Sequence, residues 1–192
     1  LGEEAAAAAN GQEPGDIKVQ DVDGNGVITT DDRIIYSQRP DVTFGFNNTF
    51  NYKGFDLSVF LYARLGQWIA YDYNTTYRIN ALENGGNVDY WTPENPTNAF
   101  PCPNKSKSYT QVTYYSTLKY EDGSFFKIRD ITLGYTFKPE LLKHLNLSKL
   151  RVYATAKNFF TFSKIDNYDP EQGGSISFPM TKQLVFGLNV EF

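Results

Sequence analysis

From Val42 onward the chain alternates apolar and polar residues with a period of two. Val42, Phe44, Phe46, Phe50 and Tyr52 share one parity, and Thr43, Gly45, Asn47, Thr49 and Asn51 share the other. That pattern predicts a strand with two unlike faces. Lys53-Gly54 supplies a tight connection, and the alternation resumes. Phe55, Leu57, Val59, Leu61 and Ala63 make an apolar face opposite Asp56, Ser58, Phe60 and Tyr62, so residues 42–64 read as a hairpin. A third strand is predicted over 124–137. Its apolar residues change parity, from Phe126 and Ile128 to Ile131, Leu133, Tyr135 and Phe137, which places a β-bulge near Arg129-Asp130. Pro139 opens a short helical turn. A fourth strand over 149–162 sets Lys149, Arg151, Tyr153, Thr155 and Lys157 against Leu150, Val152, Ala154 and Ala156. The last strand, 182–192, alternates Leu184, Phe186, Leu188, Val190 and Phe192 with Gln183, Val185, Gly187, Asn189 and Glu191.

The connections differ in length. Residues 65–123 scatter Trp68, Tyr71, Tyr73, Tyr77, Tyr90 and Trp91 among Asn, Thr, Gly and Pro without a period. Pro93, Pro96, Pro101 and Pro103 exclude a long regular element there. Residues 163–181 are a second long loop, while 53–54 and 138–148 are short turns. Residues 1–41 are polar and turn-rich, with one helical turn expected over Glu3–Ala9 before Gly11, Pro14 and Gly15 break it. The predicted strands run about 10 to 14 residues, against about 5 to 6 in soluble sheets and about 9 to 11 in membrane-spanning ones. Short turns at one end and long loops at the other are the layout of an antiparallel transmembrane β-barrel. Five strands are too few to close one, so the chain is expected to need strands from elsewhere.

Composition sharpens this all-β reading. Phe 15, Tyr 14 and Trp 2 make up 16% of 192 residues, a load that suits strands whose ends meet water boundaries. Mean hydropathy is −0.46, which fits a soluble β protein and equally a barrel with a polar lumen. No apolar run approaches the roughly 18 residues of a transmembrane helix. Eighteen Lys and Arg against 22 Asp and Glu leave a net charge of −4, with no basic footprint for nucleic acid. One Cys and one His exclude an internal disulfide and a Cys/His zinc cluster. Cys102, between two prolines, and His144, in a short turn, are expected to have no chemical role. The opening Leu1-Gly2-Glu3-Glu4 reads as the middle of something longer.

The strongest local motif is Asp21-x-Asp23-x-Asn25-Gly26-Val27-Ile28-Thr29-x-x-Asp32. The spacing is that of an EF-hand loop, and Ca²⁺ suits it because that ion takes six to eight hard oxygens in flexible geometry. Asp21, Asp23 and Asn25 would give side-chain oxygens, Val27 its carbonyl, and Thr29 a direct or water-borne ligand. Ile28 would tuck inward and Asp32 close the loop. Asp at the closing position has a shorter arm than the usual Glu. The competing reading is a solvated Asp/Asn/Gly turn without metal. Trp68, Tyr71 and Trp91 are candidates for stacking on sugar rings, or else they pack the long loop. Lys149, Arg151 and Lys157 form a basic stripe, which either draws acidic ligands to a lumen or, as expected, pairs with acidic residues of a plug or of the barrel wall. No motif frames a catalytic carboxylate pair.

Several stretches resemble the SusC/RagA-type TonB-dependent outer-membrane transporters. They are Gly15-Asp16-Ile17-Lys18, Asp21–Ile28, Pro40–Phe46, Tyr52–Ser58, Tyr90–Pro96, Phe126–Tyr135 and Ala156–Phe162. Their order matches the family, and the final Phe192 resembles the usual ending of outer-membrane proteins. The resemblance implies a C-terminal piece of a 22-stranded barrel whose plug and TonB box lie outside this chain. It also implies uptake of glycans or peptides, a SusD-like surface lipoprotein as lid, and TonB as the energy source. With the last strand ending in the periplasm, 1–41, 65–123 and 163–181 are expected to be extracellular. Two other readings fit the residues: a secreted carbohydrate-binding β module steadied by calcium, and a fragment of a surface glycan hydrolase.

Overall fold

The computed structural model describes residues 12–71, 89–102 and 116–192. The expected turn over Glu3–Ala9, and Tyr73, Tyr77 and Pro103, lie outside them. The described strands are β1 (Val42–Tyr52), β2 (Phe55–Leu65), β3 (Trp68–Ala70), β4 (Tyr120–Asp122), β5 (Phe125–Thr136), β6 (Lys149–Ser163) and β7 (Gln183–Glu191). Residues 38–68 and 122–192 form one compact unit, and the described parts of 1–37 and 69–121 form another.

The five long strands make one antiparallel sheet in the order β1-β2-β5-β6-β7. Each predicted strand is present within a residue or so of its expected bounds. At the first turn Lys53 and Gly54 both take positive φ, 48° and 91°. This is the type I′ geometry whose twist matches a two-residue hairpin. Pro139 begins a single helical turn, Pro139–Leu142, as expected, with a 3₁₀ turn Lys143–Leu145 after it. The 65–123 stretch is less irregular than its sequence suggests. β3 pairs with β4, and a short helix, Ser116–Lys119, precedes β4. Three-residue strands leave too few alternating positions for a period to show.

Register divides the sheet into two faces. Phe46, Leu61, Ile128 and Phe160 stand in line across β1, β2, β5 and β6, and Leu133, Ala154 and Phe186 stand in line across β5, β6 and β7. Asn48, opposite Val59, is a polar exception on this apolar side. The other face is polar and cross-linked. Ser58 Oγ donates to Asn47 Oδ1 at 3.2 Å, and Thr132 and Thr155 share a hydroxyl hydrogen bond of 2.9 Å. Arg151 reaches past β5 to Asp56 on β2, with Nε and Nη2 at 2.9 and 2.5 Å from the two carboxylate oxygens. Gly134 makes that reach possible, since a Cβ there would lie 2.5 Å from both the guanidinium and the carboxylate.

The bulge is where the parity change puts it. Asp130 faces Phe60 and Ile128 faces Leu61, which leaves Arg129 extra on β5. β6 bulges at the same level: Lys157 faces Asp130 and Phe160 faces Ile128, with Asn158 at φ 58° between them.

Gly134→Val is expected to break the Asp56–Arg151 pair and lower unfolding stability by about 1 to 3 kcal/mol, the scale of forced overpacking. At Gly45 an added Cβ would meet Phe60 at an ordinary 3.6 Å, so Gly45→Ala should move the urea midpoint far less. Equal shifts for the two variants would contradict this account of Gly134.

Candidate functional site

The Asp/Asn loop folds by hydrogen bonds that its own spacing creates. Asp21 accepts the Gly24 amide on Oδ1 and the Gly26 amide on Oδ2, both at 2.7 Å. Asp23 accepts the Asn25 amide at 3.0 Å, and Asn25 Oδ1 accepts the Val27 amide at 2.8 Å. Gly24 and Gly26 take φ of 74° and 85°, which lets the chain turn tightly between these acceptors. Asp32 closes the loop from ten residues away, with Oδ1 on the Val22 amide and Oδ2 on the Thr29 amide, each at 2.7 Å. Thr29 caps the 3₁₀ turn Thr30–Asp32, and Asp32 returns to the Thr29 backbone in a capping box.

Carboxylate oxygens of Asp21, Asp23 and Asp32 thereby lie within 4.8 Å of one another. Of the residues predicted as ligands, these three are brought together, and Asn25, Val27 and Thr29 join them through the amide network. The expectation for Ile28 is corrected. The residue is 43% exposed and does not tuck inward, because among the described residues no helix flanks the loop to cover it. The Thr29 amide, followed by that of Val22, holds the Asp32 carboxyl below the ordinary aspartate range, against a smaller opposing cost of desolvation. A depressed folded pKa stabilises the loop above the ordinary value, and the contribution is lost as pH falls through the folded value.

The aromatic candidates separate by burial. Tyr71 is 1% exposed, so its ring serves the interior and does not offer a face for stacking. Trp68, in β3, and Trp91 are half-buried. Trp91 lies against the backbone of Gly15, where a Cβ would sit 2.4 Å from its ring. The Cys102 amide donates to the Gly15 carbonyl at 2.8 Å beside it. His144 is exposed in its 3₁₀ turn.

The basic stripe pairs with its own wall. Lys149 meets Glu191 at 2.9 Å, Arg151 meets Asp56, and Lys157 meets Asp130 at 3.7 Å. A fourth cluster escaped sequence reasoning. Lys127 Nζ lies 2.6 Å from Asp169 and 2.7 Å from Glu171, and Arg129 lies 3.2 Å from Glu171. Strand parity assigns Lys127 to the polar face, but nothing in the chain links it to residues more than forty positions away.

No protein-family model matches the chain. It is 30% identical over 213 residues to a TonB-dependent receptor of Formosa agariphila, an alignment that spans 99% of this chain and 20% of that protein. It is 31% identical over 180 residues to the TonB-dependent receptor SusC of Bacteroides thetaiotaomicron, covering 90% of this chain and 17% of SusC. Among solved structures, a RagAB peptide transporter chain matches with TM-score 0.65 and 27% identity, over 93% of this chain and 20% of that one. The chain thus spans about one-fifth of the length of the curated relatives it matches.

Asp32→Ala should free the Val22 and Thr29 amides. Hydrogen exchange followed by mass spectrometry should then show faster exchange in peptides covering 17–36 and little change in β7. Unchanged exchange over 17–36 would mean that Asp32 does not hold the loop.

Proposed function

We propose that this chain, similar along nearly its whole length to SusC/RagA-type TonB-dependent receptors, forms a sector of an outer-membrane β-barrel that imports nutrients. The observation that carries this reading is the apolar face that runs across five long strands with Asn48 as its polar exception, backed by a polar, ion-paired face. A soluble sheet buries such an apolar face in a core. Here Phe50, Leu133, Phe186 and Leu188 are 61, 52, 74 and 67% exposed. A barrel turns that face to lipid and the polar one to its lumen. The edges β1 and β7 need further strands, because an unpaired backbone group in lipid costs several kcal/mol. The remaining barrel strands and a plug would supply closure.

The reading extends to mechanism by likeness to the relatives. Ligand enters under a SusD-like surface lipoprotein, and TonB acts on the plug, so the work is transport and not bond making. Glycans and peptides are the substrate classes. The description of RagAB as a peptide transporter supports peptides, and the kinship with SusC supports the partnership. Residues 1–41, 65–123 and 163–181 would face outward, with the turns at 53–54 and 138–148 on the periplasmic side. In this arrangement residues 21–32 hold Ca²⁺. Three converging carboxylates, held by uncharged amide donors, support that proposal. They suit a hard divalent ion that tolerates flexible oxygen ligands.

Two outcomes test these proposals. A nitroxide at position 186 of the intact receptor should be open to oxygen and closed to a polar relaxer, because lipid dissolves the first and excludes the second. A nitroxide at position 189 should show the reverse. Low oxygen access at 186 would overturn the lipid-facing assignment and favour a packed soluble module. Calcium should protect the 21–32 loop from proteolysis with a midpoint of about 10⁻⁴ to 10⁻³ M, the range of extracellular sites. Asp21→Asn with Asp23→Asn should abolish that protection, and calcium-independent cleavage of the unaltered protein would remove the ion from the account.

A further inference from the structure

Lys127 stands apart from the other cations of the polar face. Lys149 and Lys157 keep 48 and 46% of their side chains exposed, whereas Lys127 has none exposed. All three share one face, since Lys127 has the parity of Phe125 and opposes Phe126 and Ile128. The difference lies in the 164–181 segment. Both partners of the Lys127 amine, Asp169 and Glu171, belong to it. Thr161, opposite Lys127 on β6, adds a 3.5 Å contact from its hydroxyl to Asp169.

The segment is shaped to present those carboxylates. Asp169 caps the 3₁₀ turn Pro170–Gln172 by accepting the Glu171 amide at 3.1 Å, so the two acids flank a rigid proline. Pro170 and Ile165 are buried, and the Ile165 carbonyl accepts the Ser163 hydroxyl at 2.8 Å. Lys127 and Arg129 bring two positive charges, and Asp169 and Glu171 bring two negative ones. Charges withdrawn from water need this balance, and losing one partner leaves the other uncompensated. Such a cluster adds little stability that apolar residues would not provide as well, and the role best attested for buried ionic groups is to fix one arrangement over others.

We infer that residues 164–181 form a strap latched onto the polar face of the sheet by the Lys127–Asp169–Glu171–Arg129 cluster. Release of the latch uncovers Lys127 on that face and parts Arg129, already 42% exposed, from Glu171. The latch is read from the ion cluster alone, and only its position beside a passage rests on the barrel reading. Closed, the strap narrows whatever passage the polar face borders. Open, it leaves two cations at the wall.

Acylation by N-hydroxysuccinimidyl acetate tests the latch in the intact receptor, with peptide mass spectrometry reading each lysine. Lys164, 80% exposed, is the internal reference. Lys127 should react at least about tenfold more slowly than Lys164, as groups reached only through local opening do. Asp169→Asn with Glu171→Gln should bring its rate to within about threefold of Lys164, because the strap then opens readily. Equal rates in the unaltered receptor, or continued protection in the double variant, would overturn the latch. Should the double variant fail to assemble, Glu171→Gln alone keeps the Lys127–Asp169 pair and should give an intermediate rate, and a rate unchanged from the unaltered receptor would also overturn it. Heat-modifiable migration, run in parallel, reports the barrel separately. Its absence would contradict the proposed function and leave the latch to be judged by the lysine rates.

Discussion

Register is the constraint on which the rest of this structure depends. Side chains alternate along a strand, so a slip of one residue would carry a whole set of aromatics to the polar side. The sheet holds its faces apart even through a bulge. β5 inserts one residue, Arg129, and its apolar parity flips from Phe126 and Ile128 to Ile131 and Leu133. β6 inserts two at the same level, Asn158 and Phe159, and its parity is unchanged. Each strand therefore keeps its apolar residues in line with its neighbours, and Asp130 and Lys157 meet on the polar side.

The polar face shows how a wall of this kind satisfies itself. Its charges pair with neighbouring or next-neighbouring strands, and its hydroxyls share hydrogen bonds. Arg151 and Asp56 skip a strand, which the chain allows by placing glycine at 134. A side chain there would separate the two charges in a setting where each needs the other. The Lys127 cluster applies the same rule to a loop. It joins a connection to the wall by charge, whereas the helical turn at Pro139–Leu142 is anchored by the buried Leu142.

The 21–32 loop obeys a different economy. Its acceptors and donors lie within twelve residues, and nearly all its order is local. Asp21, Asp23, Asn25 and Asp32 each accept neighbouring amides, and those short-range bonds gather the three carboxylates.

What the sequence determined by itself was whatever depends on short spacing. Period two marked all five long strands, Lys53-Gly54 marked the hairpin, and the parity change marked the bulge in β5. The Asp and Asn spacing outlined the 21–32 loop. The β6 bulge was hidden because two inserted residues restore the parity that one would break. The β3–β4 pair was hidden because three residues cannot establish a period. Only the tertiary structure could decide that Tyr71 is interior, that Ile28 stays exposed, and that Lys127 meets Asp169 and Glu171. Burial and ion pairing between distant segments are set by where the whole sheet brings them, and no local pattern in the chain encodes that distance.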